Sequence, residues 1–299
     1  MMLKVTLFLL STLSYITFAN MYKKLDDRIV KVNSLVCVGL DPDIAKIPLS
    51  IIQSHTRPED ALYNFLTQVI DITAPYACCF KAQKAFYDIY PEGHNLLKNI
   101  IAYIHLHYPD VPVFIDCKIG DIDNTMNAYI TTLFDIMKAD AIVINPYMAD
   151  DVLEPFMKDP TKAAIVLIKT SNPHAYKIQN LELANGKKLW QEILSITVNY
   201  WNSNHNIMIV LPSTNDMIDY TSMRQQIPED MPILLTGIGA QGGNPMVIHQ
   251  LLNKEKRGIC VNASRSILYP YNRTNIQWKM AVEQAIISLR NTLNTIRYA

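Results

Sequence analysis

The chain lacks an excess of charge of either sign, and this narrows its partners. It has 27 basic and 27 acidic residues among 299, so its formal net charge is zero. A neutral chain has no field that would attract nucleic acid or an anionic membrane surface. Low-complexity tracts and linkers rich in Ser, Pro or Gly are also missing from the sequence. We therefore expect a single domain whose partner is a small molecule.

Cysteine is scarce and shows no metal-binding spacing. The five cysteines form no CxxC pair and no Cys/His cluster at the spacing of a zinc site. The histidines bring no ligand partners either, so we predict no metal. Three of the cysteines lie in apolar β-like runs, which indicates small buried side chains in a reducing compartment. The five are Cys37, Cys78, Cys79, Cys117 and Cys260.

The first 20 residues lack an apolar run long enough to span a membrane. One lysine precedes an apolar run from Val5 to Leu13, and small and polar residues follow. This outline is typical of a signal peptide, but Ser and Thr interrupt it and Thr17-x-Ala19 is a poor cleavage site. The cysteine pattern favours the interpretation that Met21 is the functional start and that residues 1–20 are an apolar extension. We expect a cytoplasmic protein with its catalytic domain over residues 21–299.

From residue 35 onward, short β-branched runs alternate with amphipathic stretches. Most of these runs are almost continuously apolar, as expected of parallel strands covered on both faces. Eight predicted strands occupy residues 35–41, 76–81, 111–118, 140–146, 163–170, 206–213, 232–239 and 258–264.

The segments between these runs have helical periodicity. The stretch at 57–73 has Pro58 and two acidic residues near its start and places Leu62, Phe65 and Val69 on one face. After the third run, Asp123 or Asn124 is positioned to cap another helix. Eight βα repeats over the chain predict an α/β fold, a single (β/α)8 TIM barrel. An open doubly wound sheet is the alternative.

In a barrel the active site lies at the carboxyl ends of the strands, so polar residues that end the runs are candidates. Any strand must meet water somewhere, and one charged residue at its end carries little information. The candidates at these ends are Asp41, Lys81, Asp116, Lys118, Asp121, Asn145, Lys169, Thr170, Ser171, Ser213, Asn262, Ser264 and Arg265.

The densest group of charges follows the third run, in the sequence FIDCKIGDIDNT. Asp116 and Lys118 are two apart, so on a strand their side chains point to the same side, and Asp121 lies on the turn beyond. Three charges of alternating sign within six positions favour a site over a solvated strand end. A lysine between carboxylates stays protonated, so it suits the role of proton donor to a developing carbanion better than that of amine nucleophile.

A glycine-rich stretch, TGIGAQGG, follows the seventh run. Gly237, Gly239 and Gly242 match G-x-G-x-x-G, but the dinucleotide fingerprint belongs to a βαβ unit at a switch point. In a barrel, the loops after strands seven and eight commonly bind phosphate. Arg265, after the eighth run, is then the candidate clamp for that phosphate. Tight turns alone are the other explanation of these glycines.

Six motifs, in order, resemble the orotidine 5′-phosphate decarboxylase family, in its longer bacterial branch that the parasite enzymes also resemble. They are CVGLDPD, FKAQKAFYD, DCKIGDIDNT, IKTSNP, TGIGAQGG and NASRSILY. The resemblance implies a homodimeric barrel that converts orotidine 5′-monophosphate to UMP and carbon dioxide without metal or organic cofactor.

The resemblance also implies a role for each matching residue. Lys118 would protonate C6 of the pyrimidine, and Asp116 would crowd the leaving carboxylate. Asp121 and Thr125 would reach into the site of the neighbouring subunit. The remaining matches are Asp41 and Lys81 for the ribose and the charge network, Ser171 for the pyrimidine, and Gly239, Gln241 and Arg265 for the phosphate.

Two rival functions remain open from the sequence. A pentulose- or hexulose-phosphate synthase or epimerase on the same barrel also resembles D-x-K-x-x-D proteins, but it would need a divalent metal. A non-enzymatic binder of phosphate ligands is the second, although binding alone does not need such costly crowding of charge.

Asp123 departs from the family, in which glycine is common at this point.

Overall fold

The eight predicted strands form one closed parallel barrel. A computed structural model of the chain describes residues 21–214, 218–238 and 242–299. Each strand pairs in parallel with the next, and the last strand pairs with the first through Val261 and Val36, which excludes the open sheet. The strands are β1 Val36–Gly39, β2 Cys79–Gln83, β3 Val113–Ile119, β4 Ala141–Ile144, β5 Ala163–Leu167, β6 Ile207–Pro212, β7 Ile233–Thr236 and β8 Ile259–Ala263.

Helices alternate with the strands, as the periodicity predicts. Two of the helices continue into π-helical turns, at Thr131–Ile136 and Thr197–Trp201. A 3-10 turn, Pro146–Met148, precedes α7. The helices are α1 Met21–Val32, α2 Leu49–Gln53, α3 Pro58–Thr73, α4 Ala85–Asp88, α5 Gly93–His107, α6 Asp123–Ile130, α7 Asp150–Lys158, α8 Tyr176–Gln179, α9 Leu189–Ile196, α10 Tyr220–Arg224, α11 Val247–Leu251, α12 Arg265–Leu268 and α13 Trp278–Tyr298.

The strands are buried on both faces because side chains fill the barrel interior and helices cover its outside. Every residue of β1, β4 and β6 is buried. Helix α3 illustrates the outer layer, since Leu62, Phe65 and Val69 have no exposed surface. The Phe65 ring stacks on Tyr269, with 5.8 Å between ring centroids. This double burial makes the barrel a firm support for polar groups at its carboxyl end.

The end of β3 departs from a regular strand. The pairing of β3 with β4 shifts register between Asp116 and Ile119, and Lys118 has a positive φ of 47°. A register shift of this kind, as at a β-bulge, re-aims side chains and is frequent beside active sites. The positions of Asp116 and Lys118 therefore result from the register shift and not from simple alternation along a strand.

The predicted cap of α6 is wrong. The residue before the helix is Ile122, no side chain caps the helix, and Asp123 is its first residue. Asp123 has a φ of 44°, in the left-handed region that favours glycine. The conformation explains why glycine suits this position, and Asp123 occupies it at a cost in backbone strain.

We expect Asp123→Gly to be more stable than Asp123→Ala by about 1 kcal/mol in free energy of unfolding, because both changes remove the charge and glycine alone relieves the strain. Urea denaturation of the two variants measures the difference. The matched control is Asn127, an exposed residue inside α6, where glycine should be the less stable substitution. Equal stability of the two Asp123 variants would contradict the strain.

The sequence also led to expectations about the cysteines, a membrane span and the first 20 residues. Cys37, Cys78, Cys79 and Cys260 are buried free thiols, as predicted, and Cys117 is partly exposed. Within the described ranges, no helix is long and apolar enough to cross a membrane. The predicted extension, residues 1–20, lies outside the described residues, so the boundary at residue 21 stays a prediction.

Candidate active site

A buried carboxylate lies between two lysines at the carboxyl end of the barrel. The Lys81 ammonium, on β2, donates to Asp116 Oδ2 at 3.1 Å, and the Lys118 ammonium donates to Asp116 Oδ1 at 2.6 Å. The side chains of Lys81 and Asp116 are only 4% and 11% exposed, whereas that of Lys118 is 44% exposed. The charge crowding inferred from sequence is therefore present, and Lys118 is the member of the group that is most exposed to solvent.

The ionisation of this trio follows from burial and charge together. Burial opposes ionisation of Asp116, but the ammonium groups of Lys81 and Lys118 outweigh it and lower the pKa of Asp116. Burial likewise opposes the charge on Lys81, and the carboxylates of Asp116 and Asp41 raise its pKa above the usual value. Asp116 and Lys81 are thus both charged at neutral pH.

We expect Asp116→Asn to lower the free energy of unfolding by about 3 kcal/mol at pH 7, because Lys81 loses the partner of a buried ion pair. The pKa of Asp116 is lowered in the folded state, so its contribution is present above the unfolded pKa and is lost as pH falls through the folded pKa. The difference between wild type and variant should therefore shrink on acidification. Denaturant titrations across pH 3–7 measure it, and a difference independent of pH would contradict the ion pair.

A cavity of about 210 Å³ opens over the trio. It contains Lys81, Asp116, Lys118, Ser171 and Asn262, which are all among the residues that end predicted strands. The apolar lining residues could not be chosen from the sequence, because apolar strand residues facing the barrel interior resemble those facing the helices. The other lining residues, apolar and polar together, are Val143, Leu167, Thr170, Val210, Leu234, Thr236 and Gly237, of which Thr170 alone is a strand-end candidate.

Asp41 lies beside the trio. Its Oδ1 accepts a hydrogen bond from the Gln83 amide at 3.2 Å. Its charge also contributes to the raised pKa of Lys81. Asp41 therefore joins the same electrostatic group from the end of β1.

Asp121 and Thr125 lie apart from the trio. Asp121 Oδ1 accepts from the neighbouring Ile122 amide at 2.9 Å, and Thr125 is an exposed residue of α6. Among the described residues, no ion pair joins Asp121 to Lys81 or Lys118. Within one chain, these two residues therefore do not complete the site.

Two glycines on either side of the undescribed residues 239–241 are hydrogen bonded to each other. The Gly243 amide donates to the Gly237 carbonyl at 3.0 Å, and a Cβ on Gly243 would come within 2.0 Å of Ser213 Oγ. Position 243 therefore has no room for a larger side chain unless Ser213 and the Gly237 carbonyl move. Arg265 is exposed at the start of α12, immediately after β8. Gly239 and Gln241 lie outside the described residues, and their predicted phosphate contacts stay predictions.

The described residues contain no group of three or more His, Cys, Asp or Glu arranged to hold a metal ion. The charged groups at the mouth of the barrel pair with one another, since the Lys81 and Lys118 ammonium groups both donate to Asp116. The arrangement can place a proton donor, the Lys118 ammonium, next to a ligand that enters the cavity.

The closed parallel barrel and the charged cavity at its carboxyl end define a (β/α)8-barrel enzyme. The chain belongs to the Orotidine 5'-phosphate decarboxylase / HUMPS family, whose family model matches residues 34–275.

Curated relatives and solved structures agree with this assignment. The chain is 36% identical over 267 residues to an orotidine 5'-phosphate decarboxylase from Cupriavidus metallidurans, covering 89% of this chain and 94% of the relative. It is 34% identical over 266 residues to the enzyme of that name from Aromatoleum aromaticum, covering 89% and 95%. The structure of Leishmania donovani OMP decarboxylase superposes with a TM-score of 0.78 at 28% identity, covering 94% of this chain and all of the other.

Proposed function

We propose that this chain decarboxylates orotidine 5′-monophosphate to UMP and carbon dioxide, the last step of UMP biosynthesis. The observation that carries the proposal is the Asp116 carboxylate, buried between Lys81 and Lys118 in a cavity at the barrel mouth. Family membership and relatives named orotidine 5'-phosphate decarboxylase support the choice of substrate.

The reaction follows from the charges in the cavity. A substrate carboxylate beside Asp116 is repelled, and this repulsion is relieved when the carboxylate leaves as neutral carbon dioxide. The C6–carboxylate bond breaks and its electron pair stays on C6. Lys118 then gives one ammonium proton to C6, which produces UMP and leaves a neutral lysine that solvent reprotonates. Lys81 balances the charge of Asp116 throughout.

The remaining residues are assigned to parts of the nucleotide. Asp41, beside Lys81, would hold the ribose, and Ser171, on the opposite side of the cavity opening, would contact the pyrimidine. Gly239, Gln241 and Arg265 would hold the phosphate. The close approach between Gly243 and Ser213, and the position of Arg265 directly after β8, support a phosphate site in this part of the mouth.

We propose that the active protein is a homodimer in which Asp121 and Thr125 act in the site of the second copy. Both residues lie on a surface that also exposes apolar side chains, with Ile122 45% and Tyr129 41% exposed. Exposed apolar side chains in the same region favour a protein partner over water. The absence of an ion pair between Asp121 and the lysines of its own chain is consistent with a role across the interface.

Two rivals remain to be separated from this function. The family description also covers HUMPS proteins, so membership alone does not exclude a metal-dependent synthase or epimerase acting on a pentulose or hexulose phosphate. A binder of phosphate ligands without catalysis is the second rival. We further propose that the reaction uses no cofactor and that the protein is cytoplasmic.

The experiment is an assay of purified protein with orotidine 5′-monophosphate, in buffer with chelator and in buffer with added divalent metal. We expect equal formation of UMP in both buffers. Turnover of a ketose phosphate only with metal would favour the synthase, and binding of UMP without turnover would favour the binder.

A further inference from the structure

The segment after β5 folds back onto the end of its own strand through one glutamine. Gln179, the last residue of the short helix α8, accepts a hydrogen bond from the Thr170 amide at 3.1 Å through Oε1. Its Nε2 donates to Thr170 Oγ1 at 2.7 Å. One side chain therefore satisfies both the backbone and the hydroxyl of Thr170. Thr170 Oγ1 in turn donates to Asn172 Oδ1 at 2.6 Å.

Lys169, the preceding residue, is held by neutral groups. Its ammonium donates to Asn180 Oδ1 at 2.6 Å and lies 5.8 Å from the centre of the Trp190 ring. No carboxylate forms an ion pair with Lys169 among the described residues. Burial, followed by the positive charge of Lys188, lowers the pKa of Lys169. Lys169 lines the neighbouring polar pocket and is not among the residues that line the cavity with Lys81 and Lys118.

The peptide at Thr170 and Ser171 separates two cavities. One is the cavity over Asp116, and the other is a polar pocket of about 190 Å³ that Lys169, Tyr176 and Asn180 also line. Because this peptide has open space on both sides, few packed neighbours fix its position. Its position must therefore depend on hydrogen bonds, and two of those at Thr170 are made with Gln179.

We propose that Gln179 is a positioning residue, which fixes the Thr170–Ser171 peptide so that Ser171 presents its polar groups to the pyrimidine ring. The inference rests on the proposed function, because Ser171 is the residue assigned to the pyrimidine. Gln179 does not line the cavity over Asp116 and acts through Thr170. Asn180 assists by holding Lys169 at the adjacent position.

The test compares ligands that differ in the pyrimidine. In Gln179→Ala, both hydrogen bonds to Thr170 are lost, and we expect UMP to bind about tenfold more weakly, the scale of one or two hydrogen bonds. Ribose 5-phosphate has no pyrimidine, so its binding as a competitive inhibitor should not change. Gln179→Glu keeps the acceptor for the Thr170 amide and loses the donor, and it should lie between wild type and the alanine variant.

Lys177→Ala provides the matched control, because Lys177 is exposed on the same short helix and should leave both ligands unaffected. Calorimetry with UMP and inhibition by ribose 5-phosphate measure the two affinities. Equal weakening of both ligands in Gln179→Ala, or no weakening of UMP, would overturn the positioning role. If wild type binds UMP but does not turn over orotidine 5′-monophosphate, the proposed function fails and the UMP comparison still decides the role of Gln179.

Discussion

Replacing Lys118 by alanine should abolish decarboxylation while leaving the fold intact. Lys118 is the assigned proton donor to C6, and the loss of a positioned general acid lowers kcat by about a hundredfold to ten-thousandfold. The fold should survive because Asp116 keeps its bond to Lys81 and the Lys118 side chain is 44% exposed. Single-turnover measurement of UMP formation gives the rate, and a thermal melt gives the stability.

Lys158→Ala is the control for removal of a lysine. Lys158 forms an exposed ion pair with Glu154 at 2.8 Å on α7, away from the cavity, so its loss should change neither rate nor stability. A folded Lys118→Ala protein that keeps more than about a tenth of wild-type turnover would remove Lys118 from the role of general acid.

Mixing two inactive variants should restore activity if the site is shared between subunits. In a hybrid dimer of Lys118→Ala and Asp121→Ala chains, one site carries both substitutions and the other carries neither. Random exchange makes half of the dimers hybrid, so about one quarter of wild-type activity should return, as two-fold symmetry requires. The measurement is turnover after the two proteins are exchanged by dilution and reconcentration.

Two controls make this result decisive. Native mass spectrometry of chains with different tags shows whether hybrids have formed. A mixture of Lys81→Ala and Lys118→Ala chains should stay inactive, because both lysines are assigned to the site of their own chain. Every site of such a hybrid dimer then lacks one of the two lysines. No recovery in demonstrated hybrids of Lys118→Ala and Asp121→Ala would place Asp121 outside the neighbouring site.

The barrel was predictable because its physical causes are local. Parallel strands buried on both faces must be almost continuously apolar, and eight such runs with helical periodicity between them leave few other folds. The carboxyl ends of the strands then place Asp41, Lys81, Asp116 and Ser171 near one mouth. The observed cavity contains three of these four, and Asp41 borders it through its charge on Lys81.

The details at the mouth were not predictable because they depend on neighbouring strands. Lys81 pairs in register with Phe114, and its long side chain must reach forward to meet Asp116. The register shift after Asp116 belongs to the pairing of β3 with β4, which a single strand does not encode. The same limit applies to Asp123, whose backbone conformation excluded the cap that its side chain suggested.

We propose that the trio of Asp116, Lys81 and Lys118 decarboxylates orotidine 5′-monophosphate and protonates C6 without a metal. The most direct measurement is turnover of this substrate by the wild-type protein in D2O with chelator, followed by NMR of the product and detection of released carbon dioxide. We predict one carbon dioxide for each UMP, with one deuterium at C6. Unchanged substrate in chelator, with folded protein present, would contradict the account.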